Sequence, residues 1–167
     1  MRKDEGQTLI EVLVALGIGV VIIVAVTVVV IVSLDNAGFN KNENLANAYA
    51  QEGLEVVRGL KDRSWTNFWT LTGGPFFCLP ENSTQLVSRT GANCEGAGQG
   101  EIFAGGAKFI REIIINNSNP NCNPTGSSSK VTVKVQWSDN KCASANKFCH
   151  EVRLISCFVQ LNTVPTP

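Results

Sequence analysis

Glu11 is the residue whose position most needs a chemical explanation. It begins an apolar run, and the 23 residues from Val12 to Leu34 carry no charge. An acidic side chain costs about 2.5–3.5 kcal/mol at the centre of a membrane helix and less near its end. The apolar run contains no lysine or arginine that could pair with it. Either the carboxylate reaches the water interface, or it pairs with a new α-amino group released by cleavage after Gly6.

Six cysteines are the second set of residues with possible chemistry, and all follow the apolar run. An even number on one side of such a segment indicates disulfides in an oxidising compartment. A metal site is the competing interpretation, but the sequence has no C-x-x-C pair and a single histidine. We therefore predict no metal and no cofactor. The cysteines are Cys78, Cys94, Cys122, Cys142, Cys149 and Cys157.

A catalytic site is not predicted. His150 follows Cys149 directly, which suggests a base and a nucleophile, but neighbouring side chains of a strand point to opposite faces. Cys149 is also the strongest candidate for a disulfide, and Asp139 is isolated in the sequence. The glycine-rich stretch before Lys108 lacks the spacing of a phosphate-binding loop. The sequence therefore indicates a structural or binding protein.

The sequence does not indicate a nucleic-acid groove, because its 14 basic and 14 acidic residues balance and no stretch is strongly basic. Arg58, Lys61 and Arg63 cluster around Asp62, which is typical of a solvated helix end. We predict no specific nucleic-acid partner. About 105 residues follow the predicted helix, a common size for one domain.

A long helix must position Glu11. The uncharged run would span about 35 Å as a helix, enough to cross a bilayer core of about 30 Å. The run is longer than the apolar region of a secretory signal peptide, which has roughly 7–15 residues, and no A-x-A cleavage site follows it. We assign residues 1–6 to a leader and residues 7–34 to a transmembrane helix.

The helix is predicted to continue through residues 35–62 as the spine of a head domain. Small and apolar residues recur there at steps of three and four, which predicts one buried stripe. Its small members would let a sheet pack closely. The stripe comprises Ala46, Ala50, Gly53, Val57 and Leu60, whereas Glu43, Glu52, Glu55 and Arg58 lie off it.

Residues 63–167 are predicted to form a disulfide-bonded, β-rich head, which makes the fold α+β with a small antiparallel sheet. Strands are expected at residues 107–115, 131–137 and 151–161, where apolar side chains recur at period two or crowd together. Residues 63–108 are predicted to be irregular, and residues 116–129 to form a polar loop. The aromatic cluster of Trp65, Phe68 and Trp69 is expected to cover the helix end.

One disulfide is suggested by strand register. If Cys142 and Cys149 oppose each other across a hairpin, Trp137 falls opposite Leu154 and the apolar faces of the two strands coincide. Four cysteines then remain, with three possible pairings. Cys78 and Cys94 flank a polar stretch and could close a loop, so we choose Cys78 with Cys94, which leaves Cys122 with Cys157. Six cysteines allow fifteen connectivities, and this is one of them.

The stretch from Gly6 to Leu16, GQTLIEVLVAL, resembles the type IV prepilin signature. It combines a leader ending in glycine, a processed residue, a glutamate and an uninterrupted apolar helix. The resemblance implies that prepilin peptidase cuts between Gly6 and Gln7 and methylates Gln7, where the family usually has phenylalanine. It also implies that Glu11 is the assembly glutamate, which neutralises the new amine of an adjacent subunit.

This resemblance implies a pilin-like fold and a minor pilin-like subunit of a type IV pilus, with the EVLVAL segment most similar to PilV-type minor pilins. Its partners would be other pilin subunits, prepilin peptidase and the membrane. The chain would span the inner membrane with its head outside and then enter a surface filament. The alternatives are a type II secretion or competence pseudopilin and, from another class, a single-pass anchored surface binding module.

Overall fold

The computed structural model describes residues 5–71, 76–96, 98–117, 119, 121–122, 128–139 and 141–160. The fold is α+β, as predicted, with a long N-terminal helix and an antiparallel sheet. Two compact units divide the chain, residues 1–41 and residues 42–167. Residues 1–4 of the predicted leader lie outside the described residues, and helix α1 begins at Glu5 within that leader.

Helix α1 runs from Glu5 to Arg63, 59 residues in all, and includes both predicted helical segments. In the first unit every large apolar side chain from Leu9 to Leu34 is exposed, with 49–68% of its surface accessible. Within a water-soluble fold such a surface would be unfavourable by about 25 cal/mol per Å². This half of the helix therefore requires lipid or another protein around it.

The second unit contains a short helix and a six-stranded sheet. The short helix α2 spans Trp65–Trp69. The sheet is antiparallel throughout, in the order β2-β1-β4-β5-β6, and β3 also pairs with β4. The strands are β1 Phe76–Cys78, β2 Val87–Ser88, β3 Glu101–Ala104, β4 Ala107–Asn117, β5 Ser128–Trp137 and β6 His150–Val159.

Residues 63–108 are more regular than predicted. They contain α2, the strands β1 to β3, and the first two residues of β4. Strands of two to four residues are too short to show a period in the sequence. They form by pairing, β1 and β3 with β4, and β2 with β1. Gly105 and Gly106 have φ angles of 61° and 85°, which lets them form the tight turn between β3 and β4.

The predicted polar loop at residues 116–129 is shorter than expected at both ends. Asn117 pairs with Ser129 at the end of the β4–β5 ladder, so these residues belong to strands. The Asn117 side-chain amide donates to the Trp69 carbonyl at 2.8 Å, and the Ser128 hydroxyl donates to the Asn119 carbonyl at 3.1 Å. These bonds satisfy polar groups that would otherwise favour a loop. Residues 118, 120 and 123–127 lie outside the described residues.

The three predicted strands correspond to β4, β5 and β6, but the predicted register of β5 against β6 is wrong. Trp137 pairs with His150, and Leu154 pairs with Val133. The prediction placed the Cys142–Cys149 pair on the ladder, whereas both cysteines lie in the loop before β6. Because the error is four residues, an even number, the apolar faces of the two strands still coincide.

The predicted stripe on α1 is confirmed as the surface that packs on the sheet. Ala46, Ala50 and Val57 are fully buried in the core. A Cβ atom added to Gly53 would lie 2.9 Å from Val133 Cγ1, closer than carbon atoms normally approach. The glycine therefore sets how closely the helix can approach β5.

The aromatic cluster after α1 covers the core, as predicted. Phe68 is 1% exposed and meets the Phe158 ring edge-on at a centroid distance of 6.1 Å. Trp65 stacks on Trp69 with centroids 5.6 Å apart, and Trp65 packs against the core cluster. Phe68 and Trp65 therefore complete the core at this end of the helix, and Trp69 stacks on Trp65.

Candidate assembly helix and disulfide-bonded head

The candidate processing and assembly residues lie in the first turns of α1. Gln7 and Glu11 are four residues apart, so their Cα atoms lie on one helical face about 6 Å apart along the axis. Glu11 is exposed among exposed apolar side chains. The Glu11 carboxylate has no basic residue beside it in residues 12–34 of the sequence.

The face that carries Glu11 continues with small residues. Ala15 and Gly19 follow it at steps of four, and a Cβ added to Gly19 would meet no atom within 4 Å. A shallow apolar groove of about 360 Å³ lies there, between flanking side chains that include Val12 and Ile23. This part of the described helix is long and apolar enough to cross a membrane.

Three disulfides join all six cysteines, in the same pairs that the register and elimination argument gave. They are Cys78–Cys94, Cys122–Cys157 and Cys142–Cys149, each with a Cα–Cα distance of 5.4 Å. The first is buried beside Ile110. Each bridge restricts the unfolded chain and typically contributes about 2–4 kcal/mol, by a mechanism that is debated.

Arg111 is a buried residue that the sequence argument did not single out. It is 0% exposed, and its guanidinium donates to the carbonyls of Leu79 at 3.2 Å, Pro80 at 3.1 Å and Tyr49 at 3.2 Å. Its Nη1 also lies 3.0 Å from Glu52 Oε2. One planar group thus joins helix α1 to the segment after β1, in the fork geometry that lysine cannot supply.

Glu112, the next residue of β4, is buried on the opposite face of the sheet. Its side chain is 4% exposed and pairs with Arg89 and Lys134. A buried carboxylate needs such partners because an unpaired charge in the protein interior is costly. The only sequence signal for either residue was an adjacent pair of opposite charges within an apolar strand.

Glu95 anchors the β5–β6 loop. Hydrogen bonds from Lys147 and Lys108, which favour the ionised carboxylate, lower the pKa of Glu95 to about 2. The two ammonium groups lie 2.8 Å and 2.9 Å from its Oε1 atom. Because Lys147 belongs to the β5–β6 loop and Lys108 to β4, the carboxylate ties that loop to the sheet.

Asp139 is not isolated in the structure, in contrast to the sequence interpretation. Its Oδ2 atom lies 2.9 Å from His150 Nε2, and Trp137 stacks on the imidazole at a centroid distance of 5.4 Å. Burial of Asp139 would raise the pKa of its carboxyl, but bonds from the Lys141 amide and His150 outweigh burial and lower it.

The sequence argument that strand geometry separates Cys149 from His150 is also wrong. Cys149 precedes the first residue of β6, so the alternation of a strand does not apply to it. The ligand atoms of Asp139, Cys142, Cys149 and His150 all lie within 4.8 Å of one another. Both sulfur atoms are in a disulfide, so the group contains no thiolate for His150 to activate.

The chain thus combines an exposed apolar helix that is long enough to cross a membrane with a disulfide-bonded α+β head. Residues 1–27 match the family model described as the prokaryotic N-terminal methylation motif. This match supports a type IV pilin-like N-terminus of the kind that prepilin peptidase processes. Comparison with curated proteins and with solved structures found no match.

Proposed function

We propose that this chain is a minor pilin-like structural subunit of a type IV pilus, processed between Gly6 and Gln7 and assembled through α1. The observation that carries the proposal is the match of residues 1–27 to the methylation motif, together with the exposure of the large apolar side chains of α1 from Leu9 to Leu34. The motif points to a structural subunit rather than to an enzyme.

The chemistry proposed for assembly is charge neutralisation in a low-dielectric environment. Cleavage releases an amine at Gln7, which methylation would keep basic, and Glu11 of an adjacent subunit supplies the opposite charge. A buried ion pair is favourable only when both partners are present, because either charge alone would remain desolvated and unpaired. The pair thus selects processed subunits in matched register, while the surrounding apolar side chains supply the contact area.

The head would then lie outside the cytoplasm, where its disulfides form and persist. The minor role, as opposed to that of a major subunit, rests on the similarity of EVLVAL to PilV-type minor pilins. The same helix would serve a pseudopilin, and gene deletion scored for surface fibres against protein secretion or DNA uptake distinguishes the two systems.

Mass spectrometry of the full chain co-expressed with a prepilin peptidase tests the processing step. We expect wild type to lose residues 1–6 and to gain one methyl group on Gln7, and Gly6→Val to retain its original N-terminus. Gly17→Val is the matched control, because a Cβ at Gly17 meets no atom within 4 Å and the residue lies outside the cleavage site. An uncut wild-type chain, or equal cutting of Gly6→Val, would contradict the proposal.

A further inference from the structure

The loop between β5 and β6 brings together four potential metal ligands, two from its beginning and two from its end. Asp139 and Cys142 lie at its start, and Cys149 and His150 lie where β6 begins. Each offers one ligand atom, and all four atoms lie within 4.8 Å of one another. One carboxylate oxygen, one imidazole nitrogen and two sulfur atoms form a set that Zn²⁺ binds tetrahedrally.

We infer that the reduced form of this loop is a Zn²⁺ site, and that the Cys142–Cys149 disulfide and the metal exclude each other. In the oxidised loop the two sulfur atoms share a bond, so neither is a thiolate and the site lacks half of its ligands. The inference is independent of the filament role.

Conversion of the disulfide form to the zinc-bound form begins with a two-electron reduction. A dithiol reductant transfers two electrons and two protons to the Cys142–Cys149 bond, which breaks to give two thiols while the reductant becomes a disulfide. Binding of Zn²⁺ then displaces both thiol protons into solvent, and the ion binds two thiolates, the Asp139 carboxylate and the His150 imidazole.

The required movement is small. Bond lengths of about 2.3 Å to sulfur and about 2.0–2.1 Å to nitrogen and oxygen place the donors of a tetrahedral site roughly 3.3–3.8 Å apart. The two sulfur atoms must separate beyond a disulfide bond, and the most distant ligand atoms must approach by about 1 Å. Asp139 Oδ2 and His150 Nε2, which lie 2.9 Å apart in a hydrogen bond, must separate by about 0.4 Å. The exposed Cys149 gives reductant and metal access from solvent.

The anchoring of the loop supports a built site over a chance arrangement of side chains. The Cys142 amide donates to the Asp139 carbonyl at 3.2 Å, and the Lys141 amide donates to Asp139 Oδ1 at 2.8 Å. Trp137 stacks on the His150 ring. These contacts do not involve the disulfide, so they hold the carboxylate and the imidazole in place when the bridge opens.

The experiment measures Zn²⁺ bound to the full chain in detergent, before and after reduction by a phosphine that does not compete for the metal. A chromogenic zinc chelator quantifies stoichiometry and affinity, and Co²⁺ in place of Zn²⁺ gives a thiolate charge-transfer absorption. We expect one Zn²⁺ per reduced chain and none in the oxidised chain. Uptake by the oxidised chain, or none after reduction, would overturn the inference.

Two double variants separate this site from general thiol binding. Cys142→Ser with Cys149→Ser removes two ligands, whereas Cys122→Ser with Cys157→Ser removes the same number of thiols elsewhere. We expect the first pair to abolish stoichiometric binding and the second to retain it. Equal binding by both double variants would overturn the inference.

The two remaining ligands distinguish a folded site from unfolded thiols. His150→Gln and Asp139→Asn each keep all six cysteines, so a chain that bound Zn²⁺ only through loose thiols would be unaffected. We expect each to weaken binding at least tenfold and to shift the Co²⁺ spectrum. Affinities equal to that of the reduced wild type would show that these side chains are not ligands.

Discussion

Arg111→Met is expected to be among the most destabilising single substitutions in the head. The variant keeps an unbranched apolar side chain but removes three hydrogen bonds and an ion pair from a residue that is 0% exposed. The carbonyls of Leu79 and Pro80 lose their charged donor, and a buried polar group left unsatisfied costs about 1–3 kcal/mol. The Tyr49 carbonyl lies within α1 and still accepts the helical bond, so it adds less.

The expected loss of stability is therefore about 3–5 kcal/mol, in the range for breaking a buried charged network. Arg111→Lys should lose most of this energy as well, because one ammonium on a flexible stem cannot reach three carbonyls in the geometry of a guanidinium. Glu52→Gln is the matched control. Its side chain is 45% exposed, so the ion-pair contribution is screened and we expect a cost below about 1 kcal/mol.

The assay is urea unfolding of the full chain in detergent, followed by tryptophan fluorescence, which reports on the head because Trp137 is 2% exposed. Thiol titration under denaturing conditions confirms that every variant keeps its three bridges. A midpoint for Arg111→Met within about 1 kcal/mol of wild type would refute the reasoning. A loss of stability in Glu52→Gln as large as that in Arg111→Met would also refute it, because the ion pair rather than the bonds to the carbonyls would then dominate.

Four further outcomes follow from the surroundings of particular residues. Gly53→Ala should lower head stability by about 1–3 kcal/mol in urea unfolding, because its Cβ would meet Val133 at 2.9 Å. Gly59→Ala, with open space around it, should gain up to about 1 kcal/mol from helix propensity. Because the pKa of Glu95 is lowered, its ionised carboxylate stabilises the fold above pH 4.5, and this stability is lost as the pH falls towards 2. In Glu95→Gln the free energy of unfolding should therefore depend less on pH in this range. Opening Cys122–Cys157 should cost about 1–1.5 kcal/mol more than opening the β5–β6 loop bridge, because the sequence separations are 35 and 7.

The parts of the fold that follow a simple period could be predicted from the sequence. The stripe at Ala46, Ala50 and Val57 repeats at helical spacing and is buried, and the alternating valines of β5 face the core. The register of β5 against β6 could not be fixed in this way. A shift of four residues leaves every side chain on the same face, so the apolar pattern cannot distinguish the two arrangements.

Contacts between distant residues were beyond the sequence argument for a different reason. Arg111 bonds to carbonyls 32 and 31 residues earlier, and a backbone carbonyl leaves no mark in the sequence. Asp139 meets His150 only because the loop turns back on itself before β6. The strands β1 and β3 pair with β4, and β2 pairs with β1, so their two to four residues carry little signal of their own.

The candidate assembly site shows the converse case. Gly6, Gln7 and Glu11 carry a signal in their spacing, and the methylation-motif match covers the same residues. Cleavage at Gly6, methylation of Gln7 and the assembly role of Glu11 remain predictions, because they depend on a peptidase and on neighbouring subunits.

The most direct test of the proposed function is the amount of a Glu11→Gln variant in purified filaments relative to its amount in the membrane. Glu43→Gln is the matched control, because Glu43 is an exposed glutamate on the same helix outside the apolar run. We predict that Glu11→Gln is cut and retained in the membrane but reduced at least tenfold in filaments, whereas Glu43→Gln enters them normally. Equal entry of Glu11→Gln and wild type would contradict assembly by pairing of Glu11 with a neighbouring amine.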